Sequence, residues 1–198
     1  MGAVGIVLAA GAGRRMGEPK ALLVTAGESW LARAIRVCFE GGCSAVHVVA
    51  RADVPAIGAI VAGAGARLVL NPDPERGMFS SVQEGIRAAL GAAPHSHAVI
   101  FPVDHPSVQP LTVAALIAAS SQSAVALPTC RGADGHPIAL DPRTARTLLL
   151  LPTSMTLREA LAVTGAAFVR VPVDDPGVLH NVNLPAPGFG APVTEEST

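Results

Sequence analysis

Short apolar runs alternate with amphipathic stretches along almost the whole chain, and the two differ in period. Residues 4–9, 45–50, 66–70, 98–103, 124–127, 136–140 and 166–171 are mostly apolar runs of strand length. Several of them, such as Val4-Gly5-Ile6-Val7 and Val99-Ile100-Phe101, are apolar at consecutive positions, which predicts strands covered on both faces. Between them, residues 29–40 place Leu31, Ile35, Cys38 and Phe39 on one helical face and Arg33, Arg36 and Glu40 on another, stopping at Gly41-Gly42. A second helix follows Asp53, with Pro55 in its first turn. A third, over 78–90, buries Phe79, Val82, Ile86 and Leu90, and another covers 112–119. Thr156-Leu157-Arg158-Glu159 has the form of a capping box, opening a last helix that ends at Gly165. Strand–helix alternation of this kind predicts an α/β fold, a three-layer, mostly parallel, Rossmann-like sheet. Residues 1–184 are expected to form a single domain, and the Pro/Gly/Ser/Thr-rich residues 185–198 a disordered tail.

Composition narrows the class of partner. Half of the 198 residues are apolar, 15% are charged and the formal net charge is −1, which argues against nucleic acid or an anionic membrane as partner. Residues 106–130 carry no charge, a length that could span a bilayer. Ser120, Ser121, Gln122 and Ser123 occupy its middle and three prolines punctuate it, so a transmembrane helix is rejected. Cys38, Cys43 and Cys130 have no metal-ligand spacing and are read as reduced thiols. With no basic start of a signal peptide, the expected location is cytoplasmic.

The candidate chemistry begins where the first strand ends. LAAGAGRRMGEPK, residues 8–20, is a glycine-rich turn in which Gly11 and Gly13 can take the positive φ angles that a nest of backbone amides requires. Arg14, Arg15 and Lys20 add fixed positive charge suited to phosphate oxygens. The spacing Gly11, Gly13, Gly17 is one residue too long for a dinucleotide fingerprint, and no register gives a Walker loop. Pro19 biases Glu18 away from helical angles, so the segment is expected to remain a loop through Lys20. The implied guest is a polyphosphate.

Further candidates lie at other strand ends. Asp104 emerges beyond a buried strand, and a carboxylate beside a polyphosphate suits Mg²⁺, which takes one or two carboxylates with waters and phosphate oxygens. A turn aspartate capping residues 106–110 is the alternative for this position. Asn71 ends the third strand, and Gly77, Ser80 and Ser81 lead into a helix whose free N–H groups suit an anion or sugar hydroxyl, although either serine could simply be the N-cap. Gly135-His136-Pro137 follows a flexible loop, and a histidine there is as readily structural as chemical. Asp174 and Asp175, before Pro176-Gly177, read as a surface turn.

The string at residues 8–20, with NPDPERGMFSSV (71–82), PVDHP (102–106), GHP (135–137) and the weaker NVN (181–183), resembles the molybdopterin nucleotidyltransferase family. The likeness is strongest to its cytidylyl-transferring branch. It implies a nucleotidyltransferase-type sheet and Mg²⁺-dependent transfer of a cytidylyl group from CTP to the phosphate of molybdopterin or molybdenum cofactor. It also implies a catalytic set of Arg14, Lys20 and Asp104. Nucleotide contacts would come from Leu8, Ala9, Ala10, Gly11, Gly13, Arg14, Lys20, Asn71, Gly77, Ser80 and Ser81. Asp104 and Asn183 would hold the metal, with Asn181 an equally placed competitor, and Gly135 and His136 would face the acceptor. A molybdoenzyme receiving the cofactor is the implied protein partner. Two features depart from the family: Asn183 stands where many members have Asp, and Leu184-Pro185-Ala186-Pro187 replaces a common Thr-Pro-Glu-Asp run. Ala9-Ala10, where guanylyl-transferring members tend to carry a second glycine, predicts a narrower pocket and CTP over GTP. Competing readings are a nucleotidyltransferase for another small phosphate or sugar phosphate, a cofactor-delivery protein, and an NAD-binding reductase.

Overall fold

In the computed structural model, which describes residues 2–11, 19–121 and 124–182, the apolar runs become strands of one sheet. In chain order the elements are β1 (Ala3–Leu8), β2 (Val24–Thr25), β3 (Glu28–Ser29), α1 (Trp30–Glu40), β4 (Ala45–Ala50), α2 (Pro55–Gly63), β5 (Arg67–Leu70) and α3 (Met78–Ala92). There follow β6 (His97–Pro102), α4 (Pro110–Ser120), β7 (Val125–Cys130), β8 (Ala133–Asp134), β9 (Ile138–Leu140), α5 (Pro142–Leu148), α6 (Leu157–Val163) and β10 (Phe168–Pro172). The main sheet runs β10-β7-β9-β6-β1-β4-β5, with β8 paired to β7. Every pairing along it is parallel except those made by β9 and β8. The exception has a local cause. After β7 the chain doubles back at Arg131 and Gly132, both at positive φ, so β9 returns antiparallel between β6 and β7.

Strand alternation divides the interior into two apolar layers. From β1, Val7 joins Leu31 and Ile35 of α1, Ile57 of α2 and Leu116 of α4 on one face. Val4 and Ile6 join Phe79, Val82 and Ile86 of α3, with α5 and α6, on the other. The result is the three-layer, mostly parallel α/β sheet that the hydrophobic pattern predicts. One close approach is visible in the sequence only as a helix glycine. A Cβ on Gly85 of α3 would lie 2.2 Å from Ile6 Cγ2 and 3.0 Å from Val49 Cγ2, so glycine lets the helix settle directly on β1 and β4.

Helix ends follow their sequence signals. Ser29 caps α1 by accepting from Ala32 N–H, and Thr156 and Glu159 form the reciprocal capping box of α6. Three expectations need correction. Lys20–Leu22 form a 3-10 turn rather than loop, directly after the extended Pro19. Helix α4 begins at Pro110, and what opens it is Asp175, which is buried rather than part of a surface turn. Its carboxylate accepts from Gln109 N–H at 2.9 Å, Thr112 Oγ1 at 2.6 Å and Gly177 N–H at 3.0 Å. Neither Ser80 nor Ser81 is the N-cap of α3; Gly77 holds that position with φ 94°. The Ala26-Gly27 hairpin turn between β2 and β3, the β8 strand and helix α5 were not read from the sequence, although Asp141-Pro142 is a helix-start signal and Asp141 does cap α5.

His47 and His97 are buried on β4 and β6, and His47 Nδ1 and His97 Nε2 have no hydrogen-bond partner among the described residues. Burial pushes both imidazoles below their ordinary value near 6.5. The unfolded chain therefore takes up these protons first as pH falls. The stability they provide is complete above about 6.5 and declines as pH drops through that value, by up to about 1.4 kcal/mol per imidazole per pH unit. Urea unfolding midpoints at pH 7.5 and 5.5 check this. The lower pH should give the lower midpoint, and equal midpoints would contradict neutral burial.

Candidate functional site

Parallel register builds the site. Leu8 at the end of β1 lies opposite Pro102 at the end of β6, and β4 flanks β1 on its other side. Three strands thus release their chains at one sheet edge, the place where open α/β sheets bind ligands. Ala9 N–H donates to Val49 O at 2.8 Å and Val103 N–H to Leu8 O at 3.2 Å, fixing the first turn between its neighbours. A cleft of about 440 Å³ opens there, walled by Leu8, Ala9, Ala10 and Gly11 from β1, by Val103 and Asp104 from β6, and by Gly77, Met78 and Ser81 from α3.

At its floor, Lys20 Nζ lies 3.3 Å from Asp104 Oδ2, joining residues 84 positions apart; each side chain is 21% exposed. The pair is open enough to meet a ligand and sheltered enough for its charges to act at short range. The turn-capping role that was the alternative for Asp104 falls to Asp175 instead. Val182 N–H donates to Asp104 O at 2.9 Å, so the last described residues are tied to the Asp104 backbone. Gly13, Arg14 and Asn183, together with Arg15 and Gly17, lie outside the described residues.

The other nucleotide candidates divide into wall and scaffold. Gly77 and Ser81 face the cleft, and α3 opens toward it with no side-chain cap on its first N–H groups. Asn71 is buried behind that wall. Its Nδ2 donates to Ser80 Oγ at 2.9 Å and Ser81 Oγ at 3.0 Å, while its Oδ1 accepts from Asp73 N–H at 3.0 Å. Ser80 Oγ donates to Gly77 O at 2.8 Å. Asn71 and Ser80 therefore shape the loop that presents Gly77 and Ser81. Arg51, which the sequence reading missed, also lines the cleft, its guanidinium held by Glu75 at 2.9 Å and Asp53 at 3.1 Å. Its position one residue past the end of β4 was the available signal.

Gly135 and His136 lie on the far side of Met78, in a second cavity of about 610 Å³. A Cβ on Gly135 would come within 2.5 Å of Val178 O, so the close approach of these two chains requires glycine. The His136 ring stands 5.3 Å from that of buried His105, which follows Asp104 directly. Burial holds both imidazoles below their ordinary value; Asp104 opposes that shift in both, and His105 adds to it at His136. Of the predicted positions among the described residues, the fold brings Leu8, Ala9, Ala10, Gly11, Lys20, Gly77, Ser81 and Asp104 into one cleft and sets Gly135 and His136 beside it.

Residues 5–174 match the MobA-like NTP transferase domain family. A protein described as nicotine blue oxidoreductase, from Paenarthrobacter nicotinovorans, is 32% identical over 145 residues, 69% of this chain and 70% of that protein. Among solved structures, Rv0371c from Mycobacterium tuberculosis H37Rv superposes with a TM-score of 0.76 at 22% identity, covering 87% of this chain and 89% of that one. A nucleotidyl transferase from Methanothermobacter thermautotroptrophicus gives 0.75 at 23% identity, with 91% of both chains covered. At these identities the structural likeness establishes the fold.

Proposed function

The chain belongs to the MobA-like NTP transferase family, and on that premise we propose that it transfers a cytidylyl group from CTP to the phosphate of molybdopterin or molybdenum cofactor, releasing pyrophosphate in the cytoplasm. One observation carries the reading: the Lys20–Asp104 pair at the floor of a glycine-turn cleft, where a cation for phosphate oxygens and a carboxylate for a metal stand side by side. An oxygen of the acceptor's phosphate monoester attacks the α-phosphorus in line, and the bond to the bridging oxygen of the departing pyrophosphate breaks. That nucleophile is ionised near neutral pH, so the transfer needs position and charge neutralisation rather than a general base.

Each part of the chain then has a task. Lys20 draws the triphosphate oxygens down, with Arg14 as a second cation. Backbone amides of the turn and the open start of α3 receive the remaining phosphate and ribose oxygens. Asp104, with Asn183, would hold Mg²⁺; one partly buried carboxylate beside a phosphate site suits an ion that keeps several waters. When bound, the metal neutralises charge on the triphosphate. On binding, Lys20 would turn from Asp104 toward phosphate.

The relative is named as an oxidoreductase, which keeps a second reading in view, that of an NAD-binding reductase using the same cleft. The glycine spacing at 11, 13 and 17 speaks against it. Nicotinamide oxidation assays without CTP separate the two.

Asp104→Ala should fold normally and lose at least ~100-fold in turnover; retention of more than a third of the rate at saturating Mg²⁺ would remove it from the metal site. CTP should exceed GTP by at least ~10-fold in kcat/KM, because Ala10 forbids the closer backbone approach that a second glycine would allow. Equal efficiency, or a preference for GTP, would show that the Ala9-Ala10 argument is wrong.

A further inference from the structure

Asp104 stands at the head of the 104–109 loop, which joins β6 to α4. Its carboxylate keeps a fixed place in the cleft only if that loop is itself fixed. The β6 side is held by the ladder, through Val103 N–H to Leu8 O. The rest is clamped by residues 175–182, the segment that follows β10, and three contacts join the two chains. At the α4 end, Asp175 Oδ2 accepts from Gln109 N–H at 2.9 Å and Thr112 Oγ1 at 2.6 Å, while its Oδ1 accepts from Gly177 N–H at 3.0 Å. In the middle, a Cβ on Gly177 would come within 2.4 Å of Ser107 C and 2.7 Å of Val108 N, so the backbones lie directly on each other. At the head, Val182 N–H donates to Asp104 O at 2.9 Å. One carboxylate, 3% exposed, thus serves both chains at once. Three donors converge on its two oxygens, and an amide in its place would turn N–H₂ toward a donor. A helix start alone needs no buried ion: Ser29 opens α1 and Thr156 opens α6 with a hydroxyl.

We propose that Asp175 is a positioning residue for Asp104. By locking residues 175–182 onto the 104–109 loop it sets the place of the Asp104 carboxylate, and with it the affinity of the cleft for a divalent cation. The inference rests on the assignment of Asp104 to the metal made above. Asp175 does not line the cleft and acts through backbone, from Gly177 along to Val182 and so to Asp104 O. Val178, fully buried between them, keeps the segment in the core when the carboxylate is changed. Loss of the clamp therefore displaces Asp104 rather than unfolding the chain. The arrangement is that of an outer partner which orients a metal ligand it never shares with the ion.

Asp175→Asn keeps the size of the side chain and removes its charge. Titrated with Mn²⁺ alone and followed by electron paramagnetic resonance, the full chain carrying it should show a Kd raised about tenfold. Thr112→Val removes one bond at the start of α4 and leaves the Gly177 contact, so its Kd should stay within twofold of wild type. In the transfer assay, Asp175→Asn should raise the half-saturating Mg²⁺ concentration while the KM for CTP at saturating Mg²⁺ stays within twofold. The wild-type chain gives a further readout by amide exchange. At Mg²⁺ ten times its Kd, exchange at the Val182 and Gln109 amides should slow together, about tenfold, because opening the clamp releases the ion. An unchanged Mn²⁺ Kd in Asp175→Asn, an equal loss in Thr112→Val, or amide exchange indifferent to Mg²⁺ would overturn the positioning role. If Asp104→Ala still abolishes Mn²⁺ binding in that case, the metal assignment stands alone. Mn²⁺ binding untouched by Asp104→Ala, or no saturable binding by the wild type, removes the metal assignment and this inference with it.

Discussion

The in-register pairing of β1 with β6 is the constraint on which the site depends. These strands are far apart in sequence, yet their parallel ladder sets Leu8 against Pro102 and releases the glycine turn and Asp104 at the same edge. A shift of one residue would turn every β1 side chain to the opposite layer, exposing Ile6 to the α1 side and Val7 to α3. The apolar layers therefore fix the register, and the register sets Asp104 beside the start of the glycine turn. Stability and chemistry are linked through that one ladder.

The Lys20–Asp104 contact itself is a poor stability device. Partly exposed ion pairs contribute about 0–1 kcal/mol, since side-chain entropy and solvent offset most of the attraction. In the proposed transfer its value is electrostatic: a cation suited to phosphate oxygens and a carboxylate suited to a metal already stand side by side in the cleft. The burial that supports this arrangement lies elsewhere, in Asn71 beneath the Gly77 loop and Asp175 beneath α4.

Much of this was legible in the sequence because it depends on local or periodic signals. Seven strands, five helices and the capping box of α6 follow from apolar runs, helical faces and N-cap chemistry. The cleft positions Leu8 to Gly11, Lys20, Gly77, Ser81 and Asp104 follow from the rule that ligands bind beyond strand ends. What was not legible depends on contacts between distant residues. Asp175 looks like a turn until Gln109 and Thr112 are brought to it. Arg51 looks like an exposed charge until Glu75 folds over it. Asn71 and Ser80 carry the residue types of a ligand site but spend their hydrogen bonds on each other. Phe168 and Met78 are unremarkable in one dimension, and become the walls of a cavity only when β10 and α3 meet the same space.

The measurement that bears most directly on the account is the fate of each phosphorus of CTP. The chain is incubated with molybdenum cofactor, Mg²⁺ and CTP labelled at the α or the γ position. The α label should move to the cofactor and the γ label should leave as pyrophosphate, both only when acceptor and divalent cation are present. Appearance of the γ label on the cofactor, or retention of the α label in CTP while the cofactor is present, would contradict nucleotidyl transfer at the Lys20–Asp104 cleft.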